Sequence, residues 1–201
     1  MFGMYGGTAL GVDPGLAHCG LAIVSETAEG HLRILHADVI NTTKDSTTAG
    51  LKVCDDDTRR LVTIQKAVMA AICEFKPTLV GLETYTPLAG KQGNGAFKVA
   101  TVYGSVHALA TSANRPVYSA TPQDVRLAFI GSRSGSKTDV QEALKRHCPG
   151  IDKAVEKFAK SLREHVVDAI AHAVLALDKT RLERRLAQKR GKRINVNHEM
   201  V

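Results

Sequence analysis

Short apolar runs stopped by turn residues mark the first part of the chain, and helical periodicity dominates the rest. Residues 8–12 form an apolar run that halts at Asp13-Pro14-Gly15, where proline and glycine enforce a turn. Asp13 thus stands where a buried strand ends. Residues 20–24 read as a second strand and 32–40 as a third, with a hairpin turn near Glu29-Gly30 between them. Asp55, Asp56, Asp57 and Thr58 then precede Leu61, Ile64, Val68, Ala71 and Ile72, which are apolar at helical spacing. The acidic cluster reads as the cap and first turn of that helix, where the helix dipole favours negative charge. Lys76-Pro77 ends it.

The pattern then alternates. Residues 78–82 are a strand that runs into Glu83, 90–94 are loop-like, 96–112 are a helix rich in small residues, and 116–119 are a short strand. Thr121-Pro122-Gln123-Asp124 opens a further helix, with threonine as cap, proline in the first position and aspartate in the first turn. A polar loop over 131–136 carries Arg133, residues 137–147 are helical, Cys148-Pro149-Gly150 breaks them, and 151–178 are again helical by period. The first three strands suit an antiparallel meander. The later two are reached through crossover helices and should run parallel. The expected architecture is a mixed five-stranded α/β sheet flanked by helices, one domain over residues 1–178, followed by a basic tail over 179–201.

Composition narrows the class. A chain of 201 residues that is 44% hydrophobic supports one packed core. It has no apolar run near the ~20 residues a membrane helix needs. Its glycine-rich, uncharged start lacks the pattern of a signal peptide, so a cytoplasmic protein is expected. Cys19, Cys54, Cys73 and Cys148 lie far apart without a CxxC, against a zinc site or a disulfide framework. The net charge of +7 resides in residues 179–193, which hold eight Lys/Arg and one Glu, while the rest of the chain is balanced. Such a segment is either a solvated end or a nucleic-acid-binding arm. Between Glu83 and Cys148 eight basic side chains face three acidic ones, enough for a basic face on the body.

The candidate chemistry is acidic. Asp13 and Glu83 both end apolar strands, where a carboxylate is desolvated unless something positive neutralises it. On parallel neighbouring strands the two would emerge at one sheet edge and repel, and a hard divalent cation is the usual remedy. Farther on, His165, Asp168 and His172 share a helix face by their spacing, with Glu164 beside them and Val166, Ile170, Ala173 and Leu177 as an adjoining apolar stripe. Periodicity alone also fits an ordinary amphipathic helix with a solvated charged side.

Four motifs in order resemble the RuvC crossover-junction endonucleases. They are the opening from Leu10 through Asp13-Pro14-Gly15-Leu16 to Gly20, the strand Leu79-Val80-Gly81-Leu82-Glu83, the stretch from Val117 through Thr121-Pro122-Gln123-Asp124-Val125-Arg126 to Lys137, and the helix from Glu164-His165-Val166-Val167-Asp168 to Ala173. The resemblance spans about residues 8–178. It implies an RNase H-like fold, a homodimer, and a structure-selective DNA endonuclease that resolves Holliday (four-way) junctions by paired nicks. It assigns Asp13, Glu83, His165 and Asp168 as ligands of two Mg²⁺ or Mn²⁺ ions, and Lys137 as a cation beside the scissile phosphate. Arg126, Lys91, Lys98 and Arg133 become candidate DNA contacts, and Tyr85 the aromatic closest to the family's junction wedge. His172 reads as a supporting histidine rather than a ligand, and Glu164 as pointing aside.

The chain departs from the family pattern at Cys19, where threonine is usual, and at Thr101-Val102-Tyr103-Gly104, where the family reads Gln-Ala-Arg-Gly. Tyr85 is displaced by one position, with Thr86 in the aligned slot, residues 151–163 are extra length, and the basic tail is long. These departures point to a divergent member, of the kind carried by phages, mobile elements or unusual bacteria. The competing functions are debranching or flap cleavage, RNA processing by the same fold, and binding of branched DNA without cutting. The last is disfavoured because all four ligand positions hold side chains able to bind metal. An actin-like ATPase is disfavoured by length.

Overall fold

A computed structural model describes residues 7–45, 47–48, 50, 52–84 and 93–198. Tyr85 and Lys91, expected to touch DNA, lie outside them. The strands are β1 (Thr8–Asp13), β2 (His18–Glu26), β3 (Leu32–Asn41), β4 (Leu79–Glu83) and β5 (Val117–Ala120), in the spatial order β3-β2-β1-β4-β5. β1, β2 and β3 pair antiparallel, while β4 and β5 join β1 in parallel, as expected. The hairpin between β2 and β3 closes through Thr27 and His31, with Gly30 at φ 86°. The helices are α1 (Val53–Phe75), α2 (Asn94–Ser112), α3 (Pro122–Ile130), α4 (Lys137–His147), α5 (Ile151–Glu156) and α6 (Arg163–His198).

Alternation along each strand sends side chains to two cores. Leu10, Val12, Leu21, Ile23, Val80 and Leu82 meet Ile64, Val68 and Ile72 of α1 and Val102 and Val106 of α2. Ala9, Ala22, Val24 and Leu79 face α6, behind which lie Val125, Val140, Leu144, Ile151 and Val155 of α3, α4 and α5. The helical spacing read for α1 is the face it buries. Each large aliphatic side chain buried in these layers contributes about 1.5–3 kcal/mol. The first half of α6 has helix or sheet on nearly every side, and residues 166–177 are buried except for Asp168. That is the expected behaviour of a helix apolar around most of its girth.

Three glycines bring α6 down onto the sheet. A Cβ at Gly20 of β2 would overlap the carbonyl oxygen of His165, one at Gly11 of β1 that of Ala169, and one at Gly81 of β4 that of His172. The helix backbone thus crosses three neighbouring strands at points where no side chain intervenes. Gly11 and Gly81 are register partners, and each lies two residues before the acid that ends its strand.

Three expectations are corrected. Asp55 and Asp56 lie in the first turn of α1 as expected, but the cap residue is Lys52, and Asp56 and Asp57 make ion pairs. Asp56 takes Arg59 at 2.6 Å, and Asp57 takes Arg60 at 3.3 Å and Lys98 at 2.7 Å. Residues 151–178 are not one helix. α5 ends at Glu156 and a 3-10 turn spans Lys160–Leu162 before α6 begins. Ile151 and Val155 pack from the flank while α6 lies along the sheet, and one straight rod cannot do both. Arg163 stitches the break by donating to the carbonyls of Phe158 and Glu156. Finally, the basic segment does not begin as a separate element, because α6 runs through residue 178 to His198. Its first extra turns are tied to the body by Arg181–Glu26 and by the Tyr118 hydroxyl on Glu183 at 2.9 Å.

Among the described residues no helix is long and apolar enough to cross a membrane. All four cysteines are free thiols, with Cys19 and Cys148 buried. Burial pushes the Cys148 thiol to about 11 and raises that of Cys19 further, with the charge of Asp13 adding to the effect. At Cys19 the departure from the family's threonine is therefore a core apolar contact.

Candidate functional site

The parallel pairing of β1 and β4 puts Asp13 and Glu83 at the same sheet edge, and the glycine contacts lay the first turns of α6 across it. His165 and Asp168 are thereby brought to the two strand-end carboxylates. Asp13 accepts a 2.6 Å hydrogen bond from His165 Nδ1, which leaves Nε2 as the ring's lone-pair nitrogen. His172 Nε2 lies 3.3 Å from Glu83 Oε2. From α4, Lys137 Nζ reaches Glu164 Oε2 at 3.0 Å and Asp168 Oδ2 at 3.6 Å. Lys137 is the first residue of its helix because Ser136 caps it in a reciprocal pair with Asp139.

The electrostatics are those of crowded, desolvated acids. Burial raises Asp13 above the ordinary carboxylate range, the hydrogen bond from His165 works against that, and the charge of Glu83 adds to it. Asp168 is pushed to about 6 by burial, partly relieved by Lys137 and aggravated by Asp13 and Glu83. The hydrogen bond to Asp13 raises His165, against the opposing pull of its partial burial. Burial works to lower Lys137, but Asp168 and Glu164 outweigh it and its pKa is raised, so it remains a cation. Lys137 in turn holds Glu164 below its ordinary value, a half-exposed acid occupied as an ion-pair partner.

This donor set suits a hard divalent cation. Three carboxylates and an imidazole converge on one edge, and burial raises two of the carboxylates, Asp13 and Asp168, above the ordinary range, with the neighbouring acids adding to it. As the side chains lie, no three His, Cys, Asp or Glu among the described residues surround a common point. Asp13 is engaged by His165 and Asp168 by Lys137. Beside them a cavity of about 230 Å³ opens between α3, α4 and α6, lined by Glu83, Asp168, Arg126, Lys137, Gln141 and His172 among others.

The structure gathers five of the residues singled out from sequence, Asp13, Glu83, His165, Asp168 and Lys137, and sets Arg126 on the cavity wall. It does not bring Lys98 there, since that side chain is bound to Asp57 on the α1 side. Arg133 lies in the exposed loop before α4, 3.8 Å from Asp124. Sequence reasoning missed the Glu83–His172 contact and the approach of His18 to His165. The His18 ring centroid is 5.5 Å from that of His165, and its Nδ1 donates to Asn41 Oδ1 at 2.8 Å. The first could have been found from the repeated Gly-x-acid pattern at Gly11-Val12-Asp13 and Gly81-Leu82-Glu83, which places both acids in the same phase beneath one helix. The second depends on the register of β2 with β3, where His18 and Asn41 are partners.

Comparison with known proteins points to one family. The family model described as crossover junction endodeoxyribonuclease RuvC matches residues 9–176. The crossover junction endodeoxyribonuclease RuvC of Thermus thermophilus is 28% identical over 166 residues, 82% of this chain and 89% of the relative. That of Pseudothermotoga lettingae is 29% identical over 154 residues, 74% of this chain and 88% of the relative. Among solved structures, T. thermophilus RuvC in complex with Holliday junction substrate matches with a TM-score of 0.66 at 27% identity, covering 87% of this chain and 97% of that one. The Fowlpox virus resolvase bound to Holliday junction DNA matches with a TM-score of 0.51 at 14% identity, a likeness of fold alone.

Proposed function

Because the chain belongs to the RuvC family of crossover junction endodeoxyribonucleases, we propose that the edge shared by β1, β4 and α6 is its nuclease centre, acting on four-way DNA junctions. Asp13, Glu83, His165 and Asp168 hold two divalent cations, Mg²⁺ or Mn²⁺. When bound, the ions supply an activated water and stabilise the leaving 3′ oxygen. Water adds to phosphorus, the bond to the 3′ oxygen breaks, and the products are a 3′-hydroxyl and a 5′-phosphate. Lys137 brings a fixed positive charge beside Asp168, where negative charge grows on the phosphate. Arg126, across the same cavity, holds the neighbouring backbone phosphate. Two copies of the chain act as a homodimer and nick the junction symmetrically. Tyr85, Lys91 and Arg133 contribute further DNA contacts. The protein works in the cytoplasm, on the DNA.

The observation that carries this reading is the convergence of Asp13, Glu83 and Asp168 on one desolvated edge, where burial holds Asp168 near pKa 6. The test is incubation of the full chain with Mg²⁺ or Mn²⁺ and labelled four-way junction, flap, linear duplex and RNA. Paired nicks in the junction with little cleavage of the others are expected. Preferred cutting of flap or RNA would assign the centre to a different substrate, and junction binding without any cutting would make the protein a binder.

A further inference from the structure

Two strand-end acids lie under α6, and each is engaged by a different histidine. The His165 side chain, on Asp13, is 24% exposed, whereas that of His172, on Glu83, is 2% exposed. His172 Nδ1 is also buried and has no hydrogen-bond partner among the described residues. This selects the tautomer. With the proton on Nδ1, a buried N–H would go unsatisfied and the lone pairs of Nε2 and Glu83 Oε2 would face each other. With the proton on Nε2, the ring donates to the carboxylate and only an acceptor is left over, the less costly defect. The ring cannot drift from its partner, because the His172 carbonyl sits on Gly81, two residues before Glu83 on the same strand. One close approach of helix to strand therefore fixes both imidazole and carboxylate.

Resting on the assignment of Glu83 as a cation ligand, we infer that His172 is a positioning residue for it. By donating from Nε2 to Oε2 it holds the Glu83 carboxylate in one orientation and reserves the other oxygen for the divalent cation. His172 does not bind the ion itself, since one nitrogen is spent on Glu83 and the other is enclosed. His165, bonded to Asp13 but open to solvent, keeps a nitrogen for the ion. The same helix thus provides one histidine that binds and one that aims.

The test measures Mn²⁺ binding to the full chain without DNA, by electron paramagnetic resonance titration. His172→Leu keeps the bulk and removes the donor, and should weaken Mn²⁺ binding about 10–100-fold, the usual consequence of losing a ligand's hydrogen-bond partner. His172→Gln returns an amide donor near the Nε2 position and should recover affinity to within roughly threefold of wild type. Metal-free affinity for a four-way junction should be the same in all three. If His172→Leu fails to fold, His172→Asn replaces it, since its shorter amide does not reach Glu83. Unchanged Mn²⁺ affinity on loss of the donor overturns the inference, and so does equal weakening by Leu and Gln, which would mean packing alone. Glu83→Gln separates the levels. If it binds Mn²⁺ like wild type, the ligand assignment itself fails. If it weakens while His172→Leu does not, only the positioning role fails. Ring ¹⁵N shifts of metal-free wild type should show a proton on Nε2, and a protonated Nδ1 contradicts the inference.

Discussion

The two halves of α6 carry charge in opposite ways. From Arg163 to Leu177 its ionisable groups are few, and those facing the sheet edge are desolvated, each in contact with a partner from another element. From residue 179 to 193 eight cations crowd onto one helix with a single acid. The first half crosses the strands from Gly20 to Gly81, away from the acidic edge, so the second half leaves the body at the far end, past Glu26 and Tyr118. Charge in the first half is expensive and local, and its value depends on protonation and bound cations. Charge in the second half is cheap and long-ranged, and its value depends on salt. The helix therefore separates desolvated, partnered charge at the sheet edge from a run of like charge beyond it.

The largest effect should come from forcing the first half off the sheet. Gly11→Val drives two γ-carbons into the backbone at Ala169 and should cost the fold several kcal/mol, roughly the range of severe overpacking. Gly104→Ala, in open space on α2, should instead stabilise by about 0.5–1 kcal/mol. Thermal melts of the two variants check both signs. Next, His165→Ala should lower junction cleavage at least about 10–100-fold, the loss seen for groups that merely support a ligand. His165→Asp should recover activity and shift the preference from Mn²⁺ toward Mg²⁺, because a carboxylate is the harder donor. Equal metal preference in the two proteins, measured by cleavage at matched ion concentrations, would remove His165 from the ligand set.

Acidity sharpens the contrast further. Asp168 is raised to about 6 in the folded chain from an ordinary value of 3.8, so the folded state holds a proton that the unfolded state has lost in that window. Its contribution to metal-free stability is therefore full below about pH 4 and is lost as pH rises through 6. Asp168→Asn removes the dependence, and its advantage in unfolding free energy over wild type, followed by melts across pH, should grow between pH 4 and 7 by on the order of 2 kcal/mol. Mn²⁺ should restore wild type at neutral pH and not the variant. Cleavage has the opposite limb and should fall as pH drops through about 6, since protonated Asp168 and protonated His165, itself raised, cannot hold an ion. The smallest effect belongs to the tail. Ending the chain after Asp178 should leave single-turnover cleavage at saturating protein within about threefold, but flatten the salt dependence of junction binding by roughly 0.9 for each phosphate the tail had neutralised. An unchanged slope would show that the second half of α6 does not touch DNA.

Most of the fold was legible because its signals are local. Apolar runs stopped by Pro14-Gly15 or by Glu83, and the cap at Thr121, act within a few residues. The strand-end acids were legible for the same reason. What could not be read is where rigid elements change direction and which side chains meet across the sheet. The break between Glu156 and Arg163 obeys helical periodicity on both sides and is set by how α5 packs. The pairing of Lys98 with Asp57 joins residues 41 apart, and that of His172 with Glu83 joins residues 89 apart. Neither partner is named by its own local sequence. The glycines did leave a mark, since Gly-x-acid occurs on both parallel strands, but its meaning depends on knowing that α6 lies above.

The central claim is that this buried edge performs the cut while DNA affinity is supplied elsewhere. Single-turnover cleavage of a labelled four-way junction by Asp168→Asn in Mg²⁺, with junction affinity measured in the same buffer, tests it most directly. The expected result is a rate at least about 10³-fold below wild type, as for loss of a group stabilising the transition state, with affinity within about threefold. A variant that cuts within tenfold of wild type, or one that loses cleavage only because it no longer binds the junction, would contradict the account.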